Sequence, residues 1–191
     1  MKWERKNDMD HKKIEEAVKL FLEGIGEDVN REGLQDTPKR IALMCEEIFS
    51  GLNNDAKEHL QRTFTATNNE MVIEKEIPFY SVCEHHLLPF YGNAHIGYIP
   101  DGKVVGISKL ARTVDVYAKR PQIQEQMTAQ IADDIMSNLN PKGVIVLLEA
   151  EHMCMTMRGV RKPGTLTTTY VCRGEFDNNA ELRNTFFKLI K

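Results

Sequence analysis

The sequence predicts an α+β fold, and three observations predict it. Helical periodicity fills the region before Gly51, the period switches to two at Met71, and two helical segments then separate two pairs of strand-like segments. Read along the chain the order is ααββααββα. Two hairpins on either side of a helix pair can join into one antiparallel sheet that carries the helix pair on one face.

Each element has its own signal. Ile14, Val18, Phe21, Leu22 and Ile25 recur at helical spacing behind Asp10, a capping residue, and the run ends near Gly24 and Gly26. Asp36-Thr37-Pro38 starts a second helix, with proline at the first helical position, and Ile41, Met44, Cys45, Ile48 and Phe49 carry it to Gly51. Asn53–Glu70 is polar and aperiodic and reads as a connector, which makes residues 1–70 an N-terminal helical segment and 71–191 the main domain. Met71, Ile73 and Ile77 then alternate with Val72, Glu74 and Glu76 until Pro78 interrupts, and Tyr91–Ile99 is the second strand. Ser108 is placed to cap a helix carrying Leu110, Ala111, Val114 and Tyr117, which Pro121 breaks. The next helix has Ile123, Met127, Ile131, Ile135 and Leu139 near one face and stops at Asn140-Pro141-Lys142-Gly143. Val144–Met157 reads as one long strand, Thr165–Arg173 as another, and Asn178–Ile190 as a closing amphipathic helix.

Composition removes whole classes of function. With 41% hydrophobic and 28% charged residues the chain is too apolar for disorder, and it shows no repeat. Its longest aliphatic run, Val144–Leu148, is far short of the roughly 20 residues a bilayer span needs, and Met1–Asp10 lacks the apolar centre of a secretory signal. A cytoplasmic protein with no membrane partner is therefore expected. Lys plus Arg (25) against Asp plus Glu (28) leaves a net charge of -3, which argues against a nucleic-acid partner held by phosphate neutralisation. Four cysteines are too few for a disulfide scaffold.

Two of those cysteines have reactive neighbours. In Cys83-Glu84-His85-His86 a thiolate and an imidazole three residues apart can reach one metal from a tight turn. If Val144–Met157 is one strand, alternation puts His152, Cys154 and Arg158 on a shared face and Met153, Met155 and Met157 on the other. Cys83, His86 and Cys154 then make a Cys2His set with one position open, the form in which zinc is catalytic and lowers the pKa of bound water towards neutrality. His85 and His152 remain as acid–base groups. The alternative is a structural zinc knot closed by His85 or His152.

Two further clusters are weaker. Lys109 and Arg112 lie one turn apart after Ser108, and Arg158-Gly159-Val160-Arg161-Lys162 follows the metal strand, an arrangement suited to phosphate or, residue by residue, to plain solvated charge. Gln124-Glu125-Gln126 opens a helix, where a carboxylate can accept two hydrogen bonds from an amidine-like edge such as that of guanine or simply complement the helix dipole.

Taken together, Ser81-Val82-Cys83-Glu84-His85-His86-Leu87, Gly106-Ile107-Ser108-Lys109-Leu110-Ala111-Arg112, Lys119-Arg120-Pro121-Gln122-Ile123-Gln124-Glu125 and Glu151-His152-Met153-Cys154 resemble GTP cyclohydrolase I. The resemblance runs from about Ile14 to Arg173. It implies the tunnelling fold, assembled as a toroidal homodecamer of two pentamers with active sites between subunits. It implies zinc on Cys83, His86 and Cys154, and guanine gripped by Glu125 with Gln124. The triphosphate would rest on Lys109, Arg112 and Arg158, with Arg40 reaching in from a neighbouring subunit. Ser108 would lie near the ribose.

The implied reaction is GTP plus water giving formate and 7,8-dihydroneopterin triphosphate, the first step towards tetrahydrofolate and related pterins. His152 would protonate N7 during attack at C8, and His85 and Ser108 would assist ribose opening, rearrangement and ring closure. One position departs from the family pattern: Leu43 stands three residues after Arg40, where many members carry a lysine. Two alternatives compete. A non-catalytic zinc ring protein of the same fold would bind a purine or pterin unchanged, and a zinc nucleobase deaminase would need His-x-Glu and Pro-Cys-x-x-Cys motifs that the chain lacks.

Overall fold

A computed structural model describes residues 9–191. The reading of Met1–Asp10 as free of a secretory signal falls, for its first eight residues, outside the described residues. Helix α1 (His11–Gly24) begins where Asp10 accepts a hydrogen bond from the Lys13 amide at 3.0 Å. It packs against α2 (Thr37–Ile48), which has Pro38 in its first turn. A 3-10 turn at Ser50–Asn53, the short α3 (Lys57–Leu60) and β1 (Thr63–Thr65) follow. Next come β2 (Val72–Cys83), β3 (Pro89–Ile99), β4 (Lys103–Val105) and α4 (Ile107–Ala118). The remainder is β5 (Pro121–Gln122), α5 (Gln124–Leu139), β6 (Gly143–His152), α6 (Met153–Thr156), β7 (Leu166–Gly174), α7 (Glu175–Asn178) and α8 (Ala180–Leu189).

The fold is α+β. Its main sheet has the order β5-β2-β3-β6-β7, antiparallel throughout except where β5 runs parallel to the end of β2. Ile77, Phe79, Phe90, Ala94, Ile96, Val144, Val146 and Leu148 face one way and bury against Leu110 and Val114 of α4 and Met127, Ile131 and Ile135 of α5. That is the expected helix pair on one face. The odd-parity residues Ile145 and Leu147 bury on the opposite face with Phe176 and Phe186, so the C-terminal helix covers the other side of the sheet. Among the described residues no helix is long and apolar enough to cross a membrane.

Several sequence expectations give way to tertiary context. Thr63–Thr65, placed in the connector, pairs with β4. Pro78 does not interrupt β2, because β5 reaches only Val82 and Cys83 and the proline sits where β2 is a sheet edge. A bulge between Glu74 and Ile77, with Glu76 at φ 58°, switches the parity of the strand. Met71 and Ile73 therefore pack with the α8 cluster while Ile77 and Phe79 pack under α4 and α5, not all on one face as simple alternation implied. Ser108 lies inside α4, whose cap is Gly106. The closing helix is two pieces, α7 and α8, divided at Asn179, whose side chain accepts from the amides of Glu181 and Leu182.

Candidate metal centre and active site

The end of β2 is shaped to present two ligands. After Cys83 the chain makes a single turn, closed by hydrogen bonds from the Leu87 amide to the Cys83 carbonyl and from the Cys83 amide to the Leu88 carbonyl, both 2.9 Å. Leu87 takes the left-handed conformation, φ 52°, that lets the chain reverse into β3. Residues three apart in such a turn share a side, which brings His86 over the buried Cys83.

The third ligand arrives by a route that strand alternation does not describe. Strand β6 stops at His152, and Met153–Thr156 is a helical turn in which the Met157 amide bonds back to the Met153 carbonyl at 3.1 Å. The expected long strand to Met157 and its methionine stripe are thus corrected: His152 ends a strand and Cys154 rides a helical turn. The ligand atoms of Cys83, His86 and Cys154 consequently lie within 4.8 Å of one another. Tetrahedral zinc, with bonds of about 2.0–2.3 Å, spaces its ligands roughly 3.5–4 Å apart, so a small contraction closes the set. Burial, and after it the neighbouring Cys83, push the Cys154 thiol above its ordinary pKa. A cation between the two sulfurs removes that penalty, which is the sense in which this donor set fits a soft divalent metal.

Of the remaining histidines, His85 touches the trio and His152 ends β6 two residues before Cys154. His85 is exposed, with Nδ1 3.8 Å from Cys83 Sγ. His152 is half-buried, its ring parallel to that of Phe90 at 4.6 Å between centroids, and its Nε2 is 2.7 Å from Gln124 Oε1. Burial lowers the pKa of His152, and Glu125 pulls the other way. Gln124, expected beside Glu125 at the guanine, turns its side chain inward, where the amide nitrogen donates to the Leu148 and Thr167 carbonyls and to Thr169 Oγ1. Glu125 is exposed in the first turn of α5. Arg158 Nη1 lies 2.9 Å from His86 Nε2, joining the basic loop to the metal ligands.

The other phosphate candidates lie on α4 and α2. The C-terminal end of α4 leads straight into β5, which pairs with Val82 and Cys83. Ser108 is ten residues earlier on the helix, about 15 Å back along its axis, with Lys109 beside it and Arg112 a turn further on. Arg40 is exposed on α2 and pairs with Asp36 at 3.5 Å. Phe90, Thr128 and Thr169, which touch His152 or Gln124, escaped the sequence reading: nothing in a strand or helix pattern distinguishes a core phenylalanine that stacks on a histidine from one that does not.

Comparison with known proteins bears on all of these residues at once. The family model for GTP cyclohydrolase I matches residues 14–191. Curated relatives named GTP cyclohydrolase 1 are similar over almost their whole length. That from Finegoldia magna is 60% identical over 182 residues, 95% of this chain and 99% of the relative. That from Clostridium perfringens (strain 13 / Type A) is 60% identical, covering 95% and 98%. That from Streptococcus pneumoniae (strain ATCC BAA-255 / R6) is 58% identical, covering 95% and 99%. Among solved structures, the archaeosine synthase QueF-Like in its apo form is similar with a TM-score of 0.44 and 22% identity, over 55% of this chain and 93% of that one. Since the family match takes in every motif singled out above, this chain belongs to the GTP cyclohydrolase I family.

Proposed function

We propose that this chain is a zinc-dependent hydrolase converting GTP and water to formate and 7,8-dihydroneopterin triphosphate, the first step of tetrahydrofolate and pterin biosynthesis. The observation that carries the reading is the Cys83, His86 and Cys154 trio, three ligands where tetrahedral zinc takes four, with His85 Nδ1 3.8 Å from Cys83 Sγ. Zinc held by these three residues supplies the Lewis acidity that makes water a nucleophile near neutral pH.

The chain's own residues do the rest. Glu125 accepts the N1–H and N2–H of guanine and so turns C8 towards the metal. His152 delivers a proton to N7 as C8 is attacked, because a neutral leaving nitrogen lowers the barrier to ring opening. His85, exposed beside Cys83, moves protons in the later ribose opening, rearrangement and ring closure, together with Ser108. Arg158 meets the triphosphate with Lys109, Arg112 and Arg40.

Ser108, Lys109 and Arg112 lie about 15, 13.5 and 9 Å along α4 from its end nearest the metal trio, and on this reading they serve the trio of a neighbouring copy. The sheet supports such an assembly: among the described residues β7 pairs only with β6, and β2 is open on its outer side before Val82, leaving two free edges to join copy to copy. On this reading residues 71–191 form a tunnelling-fold domain, residues 1–70 a helical appendage, and the chains close into a toroid of two pentamers. Four free thiols fit work in a reducing cytoplasm.

The test is metal analysis joined to formate release. The reading expects about one zinc per chain and formate release that fails in Cys83→Ser with the fold intact by circular dichroism. Full formate release from a zinc-free Cys83→Ser chain would contradict it.

A further inference from the structure

We infer that Gln124 is a positioning residue for His152: it fixes the ring proton on Nε2 and leaves Nδ1 as the nitrogen that meets the substrate, with Thr128 and Thr169 holding Gln124 to that orientation. The inference rests on the hydrolase reading above, since it names the working atom of the acid that reading assigns.

The donor sense of each hydrogen bond in this cluster is forced. Gln124 is 1% exposed, and its amide nitrogen faces the carbonyl oxygens of Leu148 at 3.2 Å and Thr167 at 2.9 Å. Carbonyl oxygens only accept, so the NH2 end must point there and Oε1 must point at His152. Oε1 also only accepts, so His152 Nε2, at 2.7 Å, carries the proton and donates it. A neutral imidazole has one N–H, which leaves Nδ1 as the bare nitrogen.

Two hydroxyls lock the arrangement. Thr128 Oγ1 donates to the Gln124 carbonyl at 2.7 Å, one turn back along α5. Its own proton is thereby used, so in the 2.7 Å contact between the two hydroxyls Thr169 is the donor. The lone pairs of Thr169 are then free to accept from Gln124 Nε2 at 3.1 Å. Flipping the Gln124 amide would set its oxygen against two carbonyls and leave the buried nitrogen pointing at an imidazole N–H. Phe90, fully buried and parallel to the His152 ring within 1°, removes the remaining freedom of the ring to tilt. Nδ1 must therefore first take up a proton, released by the attacking water, before it passes one to the substrate, and the Nε2–H bond stays intact throughout.

The experiment is solid-state 15N NMR of zinc-loaded protein labelled at histidine, with the His152 signals assigned by their loss in His152→Asn. The wild type is expected to show the Nε2-protonated tautomer at His152, and Thr169→Ser to match it. Gln124→Met is expected to give a mixture of tautomers and a kcat lower by roughly tenfold, a fraction of what loss of the acid itself costs, with KM for GTP unchanged. Thr169→Val is expected to fall between the two. An Nδ1-protonated His152 in the wild type would overturn the inference, whatever the variants do. So would a Gln124→Met that raises KM and spares kcat, because it would put that amide on the guanine. Absence of formate alongside an Nε2-protonated His152 would defeat the hydrolase reading and leave the positioning of the ring standing.

Discussion

Arg158 Nη1 donates a hydrogen bond to Nε2 of His86 at 2.9 Å. A guanidinium has no lone pair to offer, so the imidazole lone pair sits on Nε2; it is the lone pair a metal would take, and zinc on His86 would displace Arg158 from this contact and free it for phosphate. Arg158→Ala is expected to raise KM for GTP about tenfold, the loss of one charge-assisted phosphate contact, and to leave zinc content unchanged. Steady-state kinetics and metal analysis on the same sample check it. Loss of zinc in Arg158→Ala would instead make the arginine a support for His86.

Cys154 reaches the trio only because β6 gives way to a helical turn after His152. Cys154→Ser keeps the shape and replaces a soft thiolate by a hydroxyl, which is a poor zinc ligand. The expected outcome is loss of bound zinc and a fall in formate release of at least about a hundredfold. Metal analysis and a formate assay on the folded variant read both.

Leu43 is 50% exposed on α2, three residues beyond Arg40 and on the same side of the helix. An exposed leucine there contributes no cation. If Arg40 meets the triphosphate, Leu43→Lys adds a second positive charge to that contact and is expected to lower KM for GTP about threefold at low salt, the gain shrinking as ionic strength rises. An unchanged KM at low salt would take Arg40 and its neighbours out of the triphosphate contact.

His95 gives the stability a pH dependence of its own. It is 9% exposed on β3, and its Nδ1 accepts from the Glu76 amide at 3.4 Å, a bond that only the neutral ring can make. Burial lowers its pKa against the opposing pull of Glu149 and Glu76, with Lys75 reinforcing the burial. The unfolded chain therefore takes up this proton first, from about pH 6.5 downwards. Folding stability from this group is full above that pH, falls as pH drops towards the lowered folded-state value, and levels off below it. Urea titrations between pH 7.5 and 5 at fixed protein concentration should show His95→Gln losing less stability than the wild type over that interval. Equal losses would exclude His95 as a source of acid sensitivity.

The sequence carried the chemistry further than the geometry. Cys83 and His86 were legible because a turn between two strands needs only three residues to bring ligands together, and their spacing states it. The helix pair over one sheet face was legible because α4 and α5 are long and periodic. The bulge at Glu74–Ile77 was not, since one extra residue leaves the sequence alternating while the faces exchange. The helical turn after His152 was hidden for the same reason: Met153, Cys154, Met155, Thr156 and Met157 alternate as well in a strand, and the turn is selected by bonds such as Lys162 N to the Met155 carbonyl, contributed by a loop. Gln124 presented an accessible amide on paper. Only the carbonyls of Leu148 and Thr167, from two strands distant in sequence, turn it inward.

The central claim is that this metal trio hydrolyses C8 out of GTP and that the same site rebuilds the ring. Zinc-loaded protein incubated with GTP, followed by ultraviolet absorbance for the dihydropterin and by formate assay in the same vessel, tests it directly. The account predicts formate and dihydroneopterin triphosphate in equal amounts, both lost when zinc is removed and both restored when it is returned. GTP recovered intact from zinc-replete, assembled protein would contradict it.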